Sequence, residues 1–503
     1  MGTFEILCGF GIFSFLLYCY LTATFNFWKK RGIPGPKPLL MFNVINDVIF
    51  KNFFLGKYLK DIYDAYENTP FIGIFHLREP ILIIKDPKFI KDVFIKDSSI
   101  FYNRDLNSCP KAEPIQHFLF YTSGLKAQLL KTKLSLAFTP NKHKMMFCSI
   151  LESLERFDDY LEELLSKDDC VNCTNLINRL SADMFGRGFI GIDMNTLTKE
   201  INEENKFLKY TKDGMRVNWK TLIKILLTNI IPQVYNLFGY YMFDNAKITK
   251  FYTDLTINIM EQRKKHATSK HDVVSLLMEI KENPGKLAEI TDITNEFLAA
   301  QLIGLFSAGY ETSSITILNT LYELALNQNI QDKLREEIQN YNNNKNQKPQ
   351  YEDINKMSYL DAVFKETLRK YSAIVIGRKS LSSYTFKDTK LTIPKDQCVL
   401  IPVYAIHHDP KIYPNPEVYD PERFTKEAIQ SRDPMHYIPF GYGSRYCIGE
   451  RIGILQTKLA LISILQKYKI DVCQKTIRSY IFPPCPFMAT SINPIILKIT
   501  KIY

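Results

Sequence analysis

Residues 440–449 read FGYGSRYCIG and set a cysteine, an arginine and three glycines directly ahead of an apolar stretch over 452–465. Cys447 has the most chemistry to offer. Near the start of a helix, backbone N–H groups directed at the sulfur stabilise a thiolate, which is what a thiolate ligand to iron requires. Gly441 and Gly443 permit positive φ and close approach of the backbone to a flat ligand, while Arg445 offers a cation to a carboxylate. The competing reading is a buried structural cysteine beside a glycine turn.

Other segments could position such a site. Residues 296–326 are apolar at helical spacing and interrupted at 307–313 by SAGYETS. Gly309 is expected to weaken that helix and let it open by one backbone hydrogen bond, admitting O2 and water, with Thr312 supplying a hydroxyl and Glu311 an acid to relay protons. Small residues at a helix packing contact give the same string. In residues 360–369 (LDAVFKETLR), Glu366 and Arg369 share one helix face, a pair that alone says little. Residues 421–424 (PERF) bring Arg423 before the cysteine loop.

Phe440, Gly443, Arg445, Cys447 and Gly449 match every defining position of the haem-binding signature of cytochromes P450, and the chain resembles that family from the Pro-rich residues 33–38 to about 494–497. The resemblance implies a mainly α fold with small β-sheets, and Cys447 as axial ligand of a haem whose iron its thiolate tunes. It implies that Phe440, Gly441, Gly443, Arg445 and Gly449 shape the haem pocket, with Arg378 and Lys131 as further haem-side cations. Glu311 and Thr312 take the oxygen-activation motif, and Glu366, Arg369 and Arg423 form a structural triad. His407 and His408 fall in a polar turn by the same likeness. The chain departs from the family where Ala127 and Lys131 replace a Trp and an Arg, and where Ser372 and Ala373 replace a Pro pair.

At 503 residues and 46% apolar composition, with no Gly/Ser- or Pro-rich tract after residue 40, the chain reads as a single catalytic domain over 41–503. Residues 6–25 are uncharged and about as long as a membrane-spanning helix requires. Phe27 and Trp28 lie where an interfacial belt belongs, and Lys29, Lys30 and Arg31 follow. This predicts one N-terminal transmembrane helix within 1–28, a basic and Pro-rich linker over 29–40, and a catalytic domain on the cytosolic side of the endoplasmic reticulum membrane. The ten cysteines show no disulfide framework, and Cys170 and Cys173 lack a second pair for zinc.

The net charge of +11 suits a membrane surface or an acidic protein; no nucleic-acid partner is expected. With no flavin fingerprint, the chain needs NADPH electrons from NADPH-cytochrome P450 reductase, with cytochrome b5 a second candidate. A basic face of Lys126, Lys131, Lys133, Lys142, Lys144, Arg445 and Lys458 would receive that partner. Residues 104–119, 219–243, the oxygen helix and 482–492 are expected to line a site for a lipophilic substrate, and residues 221–231 to dip into the bilayer. The overall pattern resembles insect microsomal enzymes related to the vertebrate drug-metabolising group, implying xenobiotic or endogenous lipid and hormone oxidation. A P450-fold isomerase and a non-catalytic haem or lipophile carrier are the alternatives.

Overall fold

The computed structural model describes residues 3–38, 53–104, 106–198, 223–224, 227–228, 231–265, 272–343 and 350–502. Its α-helices are α1 (Thr3–Thr22), α2 (Leu55–Ala65), α3 (Pro87–Lys91), α4 (Gly124–Ser135), α5 (Pro140–Leu165), α6 (Cys173–Phe185), α7 (Pro232–Phe238) and α8 (Asn245–Lys265). They continue with α9 (Val273–Glu282), α10 (Asn295–Leu326), α11 (Gln328–Asn343), α12 (Ser358–Lys370), α13 (Val403–His407), α14 (Lys426–Gln430) and α15 (Glu450–Lys467). The strands are β1 (Phe71–His76), β2 (Glu79–Ile84), β3 (Cys170–Asn172), β4 (Ile376–Lys379), β5 (Tyr384–Thr385), β6 (Thr392–Ile393), β7 (Cys398–Ile401), β8 (Tyr468–Asp471) and β9 (Ile496–Lys501). They form a sheet of order β1-β2-β7-β4, a second of order β3-β9-β8, and the hairpin β5-β6. Helices with small sheets are the architecture the sequence implies.

α10 is the axis of the molecule. Thr294 caps it, its Oγ1 accepting from the Phe297 N–H at 3.1 Å. Apolar residues on every side make a helix that must be buried all round, and α6, α8 and α15 surround it. Here one expectation fails, because α10 runs unbroken through Gly309. A Cβ on Gly309 would sit 2.0 Å from the Phe185 ring of α6. The glycine admits a neighbouring ring instead of loosening its own helix. Gly304 does the same for Phe118, whose ring lies 2.2 Å from where a Cβ would be.

The N-terminal segment also differs from its sequence reading. α1 stops at Thr22, residues 23–28 are turns, and Glu5 lies within the helix. Its uncharged part covers about 25 Å at ~1.5 Å per residue, against roughly 30 Å of hydrocarbon. No helix among the described residues is long and apolar enough to cross a membrane. Trp28 is no interfacial residue: it is 3% exposed, donates its indole N–H to Ile74 O at 3.0 Å, and lies on Gly73, where a Cβ would come within 2.3 Å of the ring. The prolines beyond it are docked as well, for Pro34 O accepts from Gly73 N at 2.8 Å.

Candidate functional site

Residues 440–449 fold as a tight loop closed by the Cys447 N–H donating to Phe440 O at 3.1 Å, with a 3-10 turn at Gly443–Arg445. Gly441 and Gly443 both have φ of 73°. A Cβ on Gly443 would lie 1.6 Å from Phe94 O, so only glycine lets the loop meet that backbone. Gly449 forms the entry to α15, and the N–H groups of Gly449 and Glu450 are directed at the Cys447 sulfur. Burial still pushes the thiol up, with Glu450 adding to it and Arg104 opposing it. A bound metal cation would offset this by accepting the thiolate's charge.

α10 faces this loop, since Phe440 packs in one cluster with Ile315, Phe364, Leu368 and Ile454. Ala308 and Cys447 are both exposed, although Ala308 lies in the middle of a largely buried helix and burial dominates the surroundings of the thiol. They line an internal space. On its α10 side Thr312 Oγ1 donates to Ala308 O at 2.7 Å, which leaves the hydroxyl oxygen able to accept a second proton donor. Glu311 is pushed up to about 7 by burial.

The rim of this space is cationic. Arg445, 4% exposed, donates through Nη2 to Thr122 O at 3.1 Å, while its Nε and Nη1 are buried with no partner. Arg378 on β4 is lowered to about 9 by burial and then by Arg445. Arg104 is lowered to about 9 by burial, Arg445 and Arg378. Lys131 on α4 donates to Ser444 O and is lowered by burial, then by Arg445 and Arg104. Four cations thus crowd together, with buried donors left over and no described carboxylate paired to them, a costly arrangement unless an anion completes it. Arg104 is the residue that sequence reasoning missed: it falls in a loop assigned to substrate, far along the chain from Cys447, and only its enclosure beside Arg445 reveals it.

The scaffold below is held by charge. Arg369 meets Glu366 bidentately, Nε to Oε2 at 2.7 Å and Nη2 to Oε1 at 2.8 Å, both side chains fully buried. Arg423 Nε lies 3.5 Å from Glu366 Oε1, and the Asp420 N–H donates to the same oxygen at 2.9 Å. Arg369 also donates to His407 O and Pro416 O at 2.9 and 2.7 Å, tying α12 to the segment that leads into the cysteine loop.

Several expectations need correction. His407 ends α13 and His408 forms the turn after it, yet both are buried: His407 Nε2 accepts from Ile438 N at 3.1 Å, and burial lowers both rings. Arg445 and Lys458 cannot belong to a surface for a partner. Arg445 turns inward, and Lys458, 2% exposed, pairs with Asp361 at 2.6 Å. Ser372 and Ala373, which stand where the family has a Pro pair, are tied to the 488–489 segment, for Ser372 O accepts from Ala489 N at 3.0 Å and Ala373 bridges Met488. Phe487 of the predicted substrate segment 482–492 meets Phe120, one residue beyond the segment 104–119, edge to face at 5.8 Å. Residues 219–222, 225–226 and 229–230 lie outside the described residues.

The residues present fit the haem that the resemblance implies, with buried cations for its carboxylates, glycines that let the backbone come close, and a cysteine for its iron. The site is that of a haem-thiolate protein, with Cys447, Arg445, Arg378, Arg104 and Lys131 as the residues that would hold the haem. The cytochrome P450 family model matches residues 33–498. Cytochrome P450 6j1 of Blattella germanica is 33% identical over 487 residues, covering 96% of this chain and 95% of that one. Cytochrome P450 6A1 of Musca domestica is 32% identical over 481 residues, with 94% and 93% covered. Cytochrome P450 6a2 of Drosophila melanogaster is 32% identical over 505 residues, with 98% of each covered. The chain belongs to the cytochrome P450 family. It is a monooxygenase of the P450 type, with haem as cofactor and NADPH, through a reductase, as the family's general source of electrons.

Proposed function

We propose that this enzyme inserts one oxygen atom from O2 into a lipophilic small molecule, a xenobiotic or an endogenous lipid or hormone. The observation that carries this is the set of buried guanidiniums, with two Arg445 nitrogens unpartnered, gathered beside Cys447. Bound haem iron supplies O2 activation and electron transfer. The chain's own groups do the rest. Cys447 would hold the iron, Arg445, Arg378, Arg104 and Lys131 would hold the haem's carboxylates, and the aromatic pair Phe120 and Phe487 would keep water from the reacting carbon. Thr312 Oγ1 receives and passes a proton supplied by Glu311, whose carboxyl near 7 can both hold and release one.

Electrons come from NADPH-cytochrome P450 reductase, with cytochrome b5 as a second donor, docking on Lys142 and its neighbours. The enzyme attaches to the endoplasmic reticulum membrane through α1, with its catalytic body in the cytosol. Exposed Leu237, Phe238 and Tyr241 support a second membrane contact near the substrate entrance. The decisive experiment is the reduced carbon monoxide difference spectrum of the wild type and Cys447→Ala. The wild type should give the far-red-shifted Soret band of a thiolate haem and the variant should not; persistence of the band in the variant would refute the ligand assignment.

A further inference from the structure

Away from this site, a cavity of about 580 Å³ opens between the segment after α1 and the β5-β6 hairpin. Lys30 and Arg31 come from the segment, and Ser383, Lys390 and Thr392 from the hairpin. None of the three cations has a carboxylate within ion-pair distance among the described residues. Asp388, the acid two residues before Lys390, is already taken by Lys88 at 2.9 Å. Arg31 is held across the gap, donating to Phe27 O at 3.2 Å and Thr392 O at 3.4 Å, with its guanidinium 3.7 Å over the Phe27 ring. Ser383 spends its proton on Ile393 O at 3.1 Å, so recognition here falls to the cations.

A second space of about 280 Å³ shares Arg31 and Lys390 and continues along Ile33, Pro34, Phe71 and Leu391. A cationic cup that opens into an apolar groove selects an amphiphile with an anionic head. We propose that this double cavity binds an anionic phospholipid, its phosphate among Lys30, Arg31 and Lys390 and its glycerol end along Ile33 and Pro34. The site is built from the body and the segment docked by Trp28, so it does not depend on whether α1 crosses a bilayer or on the oxidation chemistry.

The test uses the full chain in neutral detergent, titrated with short-chain phosphatidate, short-chain phosphatidylcholine and inorganic phosphate, with bound lipid counted by native mass spectrometry. One phosphatidate should bind, more tightly than phosphatidylcholine. Lys390→Gln should weaken it about fivefold, the effect of one cation near a phosphate, while Lys286→Gln, an equal charge change on an exposed loop, leaves it intact. Ile33→Ser should weaken phosphatidate and spare inorganic phosphate. The haem spectrum of each variant reports that it is folded. Unchanged affinity in Lys390→Gln, or an equal loss in Lys286→Gln, overturns the site. Inorganic phosphate binding as tightly as phosphatidate, with Ile33→Ser inert, overturns the lipid and leaves a free-phosphate site.

Discussion

At the scale of residues, Thr312 and Glu311 have different jobs that can be separated. Thr312→Ala removes one hydroxyl from an internal surface and should leave haem content and substrate affinity nearly unchanged, since the backbone of α10 does not depend on it. It should lower the ratio of product formed to NADPH consumed by roughly tenfold, with hydrogen peroxide released instead. An unchanged ratio would demote Thr312 to packing. Glu311 can be read through stability. Its carboxyl stands at about 7 against an ordinary 4.5, so the folded state keeps a proton that the unfolded chain has lost. Stability therefore falls as pH rises from about 4.5 to about 7. Thermal unfolding across that window should show the decline in the wild type and a flatter profile in Glu311→Gln.

At the scale of elements, the buried pair between Glu366 and Arg369 is the sharpest dependency. Glu366→Ala strands Arg369 with carbonyl partners only and also removes the acceptor for the Asp420 N–H, so a loss of ~3–5 kcal/mol is expected. The visible result should be little folded holoprotein, not a well-folded inactive enzyme; normal haem content and thermal stability would contradict a scaffold role. These elements were unequally legible in the sequence. The loop around Cys447 could be read because its residue types are fixed at close spacing, and each type has its own physical task. Gly309 could not, because a glycine that opens a helix and a glycine that accepts a ring look alike until Phe185 is placed against it. Arg104 was hidden for a related reason: a loop residue acquires its partners only from folding. Lys458 misled because a lysine on a helix is usually at the surface, and its pairing with Asp361 joins residues 97 apart in the chain.

At the scale of the whole molecule, Trp28 joins the N-terminal segment to the first sheet. Its ring fills the place above Gly73, and no other described side chain substitutes for its bond to Ile74 O. Trp28→Ala should cost ~3–5 kcal/mol by leaving a cavity above Gly73. Thermal melts of the full chain should show it, and a melt like that of the wild type would mean that the segment is merely laid on the sheet. The same docking limits how the body can swivel. Only residues 23–27 separate α1 from the locked indole, and they are already folded into turns bonded to one another and, through Thr24, to Arg78 O at 2.6 Å. So short and stiff a leash lets the globule neither roll nor drift relative to α1. Wherever α1 comes to rest, the mouth of the internal space is aimed in one fixed direction, and molecules arriving from that surface meet it in the same orientation every time.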